Sequence, residues 1–522
     1  MIKKIQIIDI LLILFFILIG GILRVYNLPA FPPGLHGDEA WTGLEAKRIL
    51  MNGSIGIWSM AAFGEPSLRM YLTAFLFFLF GPSITTIRLS LALPNIVSIP
   101  FFYGIAFLIT KSRRSTILAT ILYCCSFVTL LFSRNGQFVS FTLPFYLCLF
   151  FFLYAIRSRK NIAFIACGIS LGLTSYAYFA LWTTFVLIGI SCTLLIFYVE
   201  KKISFIKQCL LLCIAAFIIV SPLLFFGMQH PDAFTARYRM TVVGEQNLGA
   251  SYENSINLSK VELYTQNFTK NVQMFFLKGD SDTMDNLQSQ ALFNLVGVLF
   301  ISIGLLYTVF HFRKFRYWFL LLYFFYFLIL ASFTSDAPNF RRTQLSITAS
   351  YILIGIGIDT FLIFIERNKY IQKIKWLNFA PIILGILIIL YIAGRSTLFF
   401  FYNFSQAADV KQTFAYPRVK LAKFLQQQSQ PIYVYYYSVG DSYHHETLRF
   451  LASNIPGEDR SREFGTFSLI NTRTTNVVYV MMPEYYPAFE QVMKLYPLGK
   501  KYMEQDVNRT LFYAWIVPIK YE

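Results

Sequence analysis

The stretch His36-Gly37-Asp38-Glu39-Ala40-Trp41, continued by residues 42–53, decides how this chain is read. It follows an apolar run, residues 7–23, and a connection carrying Pro29, Pro32, Pro33 and Gly34. About 20 apolar residues span a bilayer core as a helix, so two adjacent carboxylates stand just beyond a membrane span. Acidic groups turned towards a membrane are costly and mark function by default. Asp38 occupies the place of an N-cap and Gly53 that of a helix-ending glycine, which predicts a short helix with one carboxylate fixed at its start. Within this stretch two readings stay open: Asp38 and Glu39 cap the helix and complement its dipole, or they carry chemistry.

Composition sets the class. The 522 residues are 56% hydrophobic, 18% aromatic and 14% charged, against roughly a quarter charged in soluble domains. This predicts a polytopic α-helical membrane protein. The seven cysteines all lie in apolar segments, without CxxC or His/Cys ligand spacing, and read as small core residues. The basic start, Met1 to Lys4, precedes an apolar run with no small-residue cleavage site, so an uncleaved first helix is expected.

Eleven spanning segments are expected, at 7–23, 89–109, 116–132, 138–156, 162–179, 183–199, 205–226, 291–310, 318–333, 345–365 and 379–398. A twelfth apolar run, 70–80, is too short and ends at Gly81-Pro82. Charge decides its fate. The basic clusters at 111–114, 157–160, 200–202, 311–316 and 366–375, with Lys3 and Lys4, fall on one side only if 70–80 does not cross. The N-terminus is then cytoplasmic in a plasma (inner) membrane, and 24–88 becomes one long external loop containing the acid pair. A second long external loop covers 227–290. The net charge of +18 is thereby explained by topology, and no nucleic acid partner is needed.

From residue 399 the composition changes. Strand patterns at 431–436, 476–481 and 510–517 alternate with helical patterns at 419–427, 447–452 and 486–495, which predicts a small external α/β domain over 399–522, after a transmembrane domain over 1–398.

Several external residues ask for a role. Glu65, in Gly64-Glu65-Pro66, returns a carboxylate to the Asp38 loop, as a helix-entry acid or a metal or acceptor ligand. Arg24, Arg88, Arg134, Arg237, Arg239, Arg341 and Arg342 lie externally, against the positive-inside trend. Single arginines at helix ends also snorkel to lipid phosphate, but the pairs 237/239 and 341/342 suit bidentate phosphate binding. Tyr176 and Tyr178 fit sugar stacking or an aromatic belt. No nucleotide-binding glycine pattern and no Ser-His-Asp arrangement is present.

In Asp38-Glu39, Gly64-Glu65-Pro66, Gly81 to Arg88, Ser133-Arg134, His230-Pro231 through Arg237, and Arg341-Arg342 followed by Gly355 and Gly357, the chain resembles a superfamily of lipid-dependent glycosyltransferases. These are the protein O-mannosyltransferases and aminoarabinose transferases, glycosyltransferase family 39 and its relatives, with the GT-C fold. The resemblance implies transfer of a sugar from a polyprenyl-phosphate carrier to an external glycan, lipid or protein acceptor. It makes Asp38 the base, with Glu39 beside it and the arginines and tyrosines around donor and acceptor. It also implies a divalent metal near Glu65. Here the family's Glu-Lys-Pro lacks its Lys, and Val139 and Ser140 stand where a second acid is found. Two other readings remain, a flippase or transporter of lipid-linked sugars and an inactive acceptor-binding relative. Few charges lie within the spans, and the polar residues collect on one face, which favours catalysis there.

Overall fold

The computed structural model describes residues 6–60, 64–241, 259–368, 379–463, 475–507 and 509–518. Lys3, Lys4, the basic run 369–375 and residues 242–258 of the second loop lie outside them. The chain begins with α1 (Ile7–Val25), α2 (Gly37–Asn52), a two-residue hairpin β1 (Trp58–Ser59) and β2 (Glu65–Pro66), then α3 (Leu68–Phe80) and α4 (Ile84–Thr110). There follow α5 (Arg113–Cys125), α6 (Phe127–Arg134), α7 (Leu143–Ser158), α8 (Asn161–Thr174), α9 (Thr184–Ile196), α10 (Lys202–Gln229) and α11 (Pro231–Thr241). The membrane part closes with α12 (Lys260–Gln273), α13 (Leu295–Phe310), α14 (Phe315–Ser332), α15 (Phe340–Glu366) and α16 (Ala380–Leu398).

All eleven apolar segments are helical, but not all reach spanning length. Among the described residues seven helices are long and apolar enough to cross a membrane, and the bent pair α5 and α6 makes an eighth. Helices α7, α8 and α13 are shorter than the runs that predicted them. Each has a local cause. Pro144 suits a first helical turn, so α7 starts at Leu143; α8 gives way to a 3-10 turn at Phe179–Thr183; and the Asn294 side chain takes the Gly297 amide at 2.9 Å, starting α13 there. The bend of 50° between α5 and α6 falls at Ser126, whose extended ψ of 144° breaks the ladder. The Phe127 amide is bonded instead by Ser396 Oγ at 2.7 Å. Where α13 crosses α15, a Cβ at Gly304 or Gly357 would collide with the facing carbonyl, so glycine lets the two backbones touch.

Helix α3 has 13 residues, about 20 Å of rise against about 30 Å of bilayer core. It packs on α2 and α4 through Met70, Ala74 and Phe77 and exposes Phe75, Phe78 and Phe80. Such a helix suits the interface. Ser83 and Ser112 bracket α4, so single cysteines there are expected to label from opposite sides of the membrane with an impermeant thiol reagent. Labelling of both from one side would overturn the layout.

Beyond α16 the helix continues as a π-helical turn, Phe399–Phe404, and then α17 (Ala408–Thr413) and α18 (Tyr416–Gln426) lead into a five-stranded sheet. Its strands are β3 (Ile432–Tyr437), β4 (Gly457–Asp459), β5 (Asn476–Met481), β6 (Lys500–Asp506) and β7 (Arg509–Val517), in the order β4-β3-β5-β7-β6. Strand β3 pairs in parallel with β4 and β5, while β7 is antiparallel to β5 and β6. Alternation sends Val434, Tyr436, Val478 and Val480 to a face covered by α18 and α19 (Glu446–Leu451). Tyr435, Tyr437, Tyr479 and Met481 go to the other face, covered by α20 (Tyr486–Leu495).

Candidate active site

The acid pair separates into two different environments. The N-cap of α2 is His36, not Asp38: His36 Nδ1 accepts the Asp38 amide at 3.1 Å. Asp38 therefore lies in the first turn, 30% exposed, its carboxylate 3.8 Å from His36 Nδ1 and in no hydrogen bond among the described residues. Glu39, one residue on, points the opposite way. It is 0% exposed and ion-paired with the equally buried Arg88 at 2.8 Å. The same guanidinium donates to the carbonyls of Leu28, Pro32 and Gly34 at 2.7–2.8 Å. Arg88 and Glu39 thus fasten the Pro-rich connection to α2 and α4, and neither lines the two cavities described below.

Arg24 and Arg134 have their electrons closer at hand than a lipid phosphate. Arg24 donates to the carbonyls of Gly20, Tyr123 and Cys124 at 3.0–3.2 Å, and the last two belong to the open end of α5. Arg134 donates to Leu23, Tyr26 and Phe31 at 2.5–3.0 Å, around the end of α1. Both cations satisfy the carbonyls that a helix C-terminus leaves unpaired, where the dipole is negative. Tyr176 is similarly structural, its hydroxyl donating to Ile219 O at 3.0 Å. Arg239 is exposed, pairs with Asp232 at 3.3 Å and does not line the cavity described next.

The remaining candidates converge. A cavity of about 750 Å³ is lined by Tyr178, Arg237, Arg341 and Arg342 together with Asp282, Asp336 and Trp182. Burial pushes the Tyr178 phenol up, while the charges of Arg342, Arg237 and Arg341 oppose that rise. Burial also pushes the Arg237 guanidinium down, countered by the charges of Glu65 and Asp38. Trp58 of the Asp38 loop packs on Phe234, a wall of the same cavity, with ring centroids 5.3 Å apart. Arg341 is clamped by Asp282 and Asp285, with Asp280 beside them accepting the Phe340 amide at 2.7 Å. Arg342 gives one nitrogen to Asp336 at 2.7 Å, and its Nη1 is buried with no hydrogen-bond partner among the described residues.

A second cavity of about 600 Å³ runs between α8, α9 and α10, walled by Leu171, Phe185, Ile188, Leu212, Phe217 and Leu224. It shares Trp182 and Phe234 with the arginine cavity. An apolar groove among membrane helices thus ends at a cationic chamber.

Glu65 is 1% exposed, with one oxygen held by Arg69 at 2.6 Å and the other buried without a hydrogen-bond partner. Arg69 also donates to Gly136 O at 3.1 Å and to the Thr42 hydroxyl, tying the hairpin, α2 and the α6 exit together. The expected metal does not fit. Glu65 already faces a cation, and among the described residues no three Asp, Glu, His or Cys groups are gathered to hold an ion. Sequence reasoning missed Arg69, Trp182 and Asp282. Only Arg69, four residues after Glu65 on a helix entry, carried a readable signal.

No family model and no curated protein matches the chain. Solved structures do. ArnT from Cupriavidus metallidurans in the apo state aligns over 97% of both chains at TM-score 0.55 and 13% identity. The same protein bound to undecaprenyl phosphate aligns over 97% of both at TM-score 0.53 and 12% identity. The chain has the GT-C fold. The archaeal oligosaccharyltransferase AglB from Archaeoglobus fulgidus, in complex with an inhibitory peptide and a dolichol-phosphate, aligns over 97% of this chain and 74% of its own at TM-score 0.50 and 13% identity. In GT-C terms, the Asp38 loop and both cavities belong to the multi-span part and the sheet is the C-terminal region.

Proposed function

We propose that this protein is a membrane glycosyltransferase that takes a sugar from a polyprenyl-phosphate carrier and passes it to an extracytoplasmic glycan, lipid or protein. The observation that carries this reading is the junction of an apolar groove with an arginine chamber through the shared Trp182 and Phe234, with Phe234 packed on Trp58 of the loop that bears Asp38. An isoprenoid tail suits the groove, and a phosphate suits Arg342 and Arg237. Asp38 then takes the proton of an acceptor hydroxyl as its oxygen attacks the sugar carbon. The bond from that carbon to the phosphate oxygen breaks, and the phosphate leaves with its lipid, its growing charge met by the guanidinium groups.

Arg341 already shares its charge with Asp282 and Asp285, so its removal would leave two carboxylates unpaired. Arg342 is the better probe. Arg342→Gln is expected to weaken binding of undecaprenyl phosphate by about tenfold to a hundredfold, the range for one charged hydrogen bond, with the thermal midpoint little changed. Binding measured on purified protein in nanodiscs checks this; unchanged affinity in Arg342→Gln and in Arg237→Gln would remove the donor chamber.

A further inference from the structure

The two helices that meet where the C-terminal domain touches the membrane part start in the same unusual way. His36 caps α2 by accepting the Asp38 amide at Nδ1, and His445 caps α19 by accepting the Thr447 amide at Nδ1, 3.2 Å away. Histidine is not among the common N-cap residues, and here two of them cap helices that pack on each other. A Cβ at Gly37 would stand 3.5 Å from the His445 ring, and Thr447 Oγ1 donates to Leu35 O at 2.9 Å, beside His36. Phe450 of α19 fills the space against Gly43, and Lys47 donates to Phe450 O at 2.8 Å. A chain of contacts thus runs from His445 through Thr447 and Leu35 to His36 and the Asp38 amide.

We propose that His445 is a positioning residue for Asp38: its ring must be neutral, with the Nδ1 lone pair free to accept the Thr447 amide, for the C-terminal domain to hold the start of α2 in place. The inference takes its meaning for catalysis from the reading of Asp38 as the base, but the junction itself stands on contacts. Protonating the His445 ring places a hydrogen on the nitrogen that must accept. The other charged groups around the pair are Asp38 and Glu446 on the two helices, and Arg418 and Asp441 from the C-terminal domain. Arg418 and Asp441 are themselves ion-paired. Burial and the charge of Arg418 hold His445 below the ordinary imidazole range, outweighing Glu446, at 3.6 Å from His445 Nε2, and Asp441, which favour the charged ring. The sign follows: the undocked ring binds protons more readily than the docked one, so docking is complete above about pH 6.5 and is lost as the pH falls below it.

Hydrogen exchange on the full-length protein in nanodiscs tests this without any substrate. Between about pH 7.5 and about pH 5.5, protection of the first turns of α2 and α19, corrected for intrinsic exchange, should fall by up to about tenfold, the limit for one imidazole of ordinary pKa in the undocked state. Asparagine caps without titrating, so His445→Asn should keep its protection across that range. His445→Ala should lack protection at both pH values. Equal protection of the wild type at the two pH values, or an undiminished fall in His445→Asn, would overturn the proposal. The role of Asp38 as base is tested separately by Asp38→Asn, so the two ideas fail by different measurements.

Discussion

Asp38→Asn is expected to give a folded, membrane-inserted protein whose sugar transfer is reduced by roughly 10²–10⁴-fold, the contribution of a positioned general base. The structure sharpens this beyond the sequence. Since His36 supplies the cap and the Asp38 carboxylate makes no hydrogen bond among the described residues, the acid contributes little to the local fold. Asn has nearly the same volume and removes the ability to take a proton together with the carboxylate charge, which here lies in no hydrogen bond among the described residues. Turnover of a polyprenyl-phosphate sugar by purified protein, at matched amounts and with thermal unfolding recorded alongside, is the measurement. A variant keeping more than about a tenth of the wild-type rate lies outside what loss of a general base produces, and Asp38 would then be a bystander.

Glu39→Gln is expected to do the opposite: to damage the fold first and activity only as a consequence. The substitution leaves the Arg88 guanidinium, 0% exposed, without its counter-charge. Breaking a buried pair from one side costs about 3–5 kcal/mol, a large share of the roughly 5–15 kcal/mol that holds a typical domain. The cost is raised by the position of Arg88 in a network. Its other nitrogens satisfy three carbonyls of the Pro-rich connection, so replacing both partners with apolar residues should not restore stability either, because those carbonyls would be left buried and unpaired. Thermal unfolding in detergent should show a clear drop for Glu39→Gln and for a Glu39→Leu/Arg88→Leu double variant, with Asp38→Asn near the wild type. A wild-type midpoint in Glu39→Gln would show that Arg88 finds another anion.

The sequence by itself determined what depends on composition along the chain. Each apolar run became a helix because burial or lipid exposure of its side chains needs no distant partner. The strands at Ile432–Tyr437 and Asn476–Met481 were legible because alternation reports two covered faces. Edge strands were not: Gly457–Asp459 and Lys500–Asp506 carry polar, half-exposed residues that alternate too weakly to stand out. Tertiary structure alone decided what each charge does. The seven arginines expected outside the membrane look alike in one dimension. Which of them meets an anion depends on which carbonyls and carboxylates the fold brings within about 3 Å. Arg24 is spent on Tyr123 O, 99 residues away, and Arg88 on Glu39, 49 residues away, while Arg342, in the wall of the chamber, keeps a buried nitrogen with no hydrogen-bond partner among the described residues. A guanidinium answers to the nearest electron density, and only the packing of the helices says where that is.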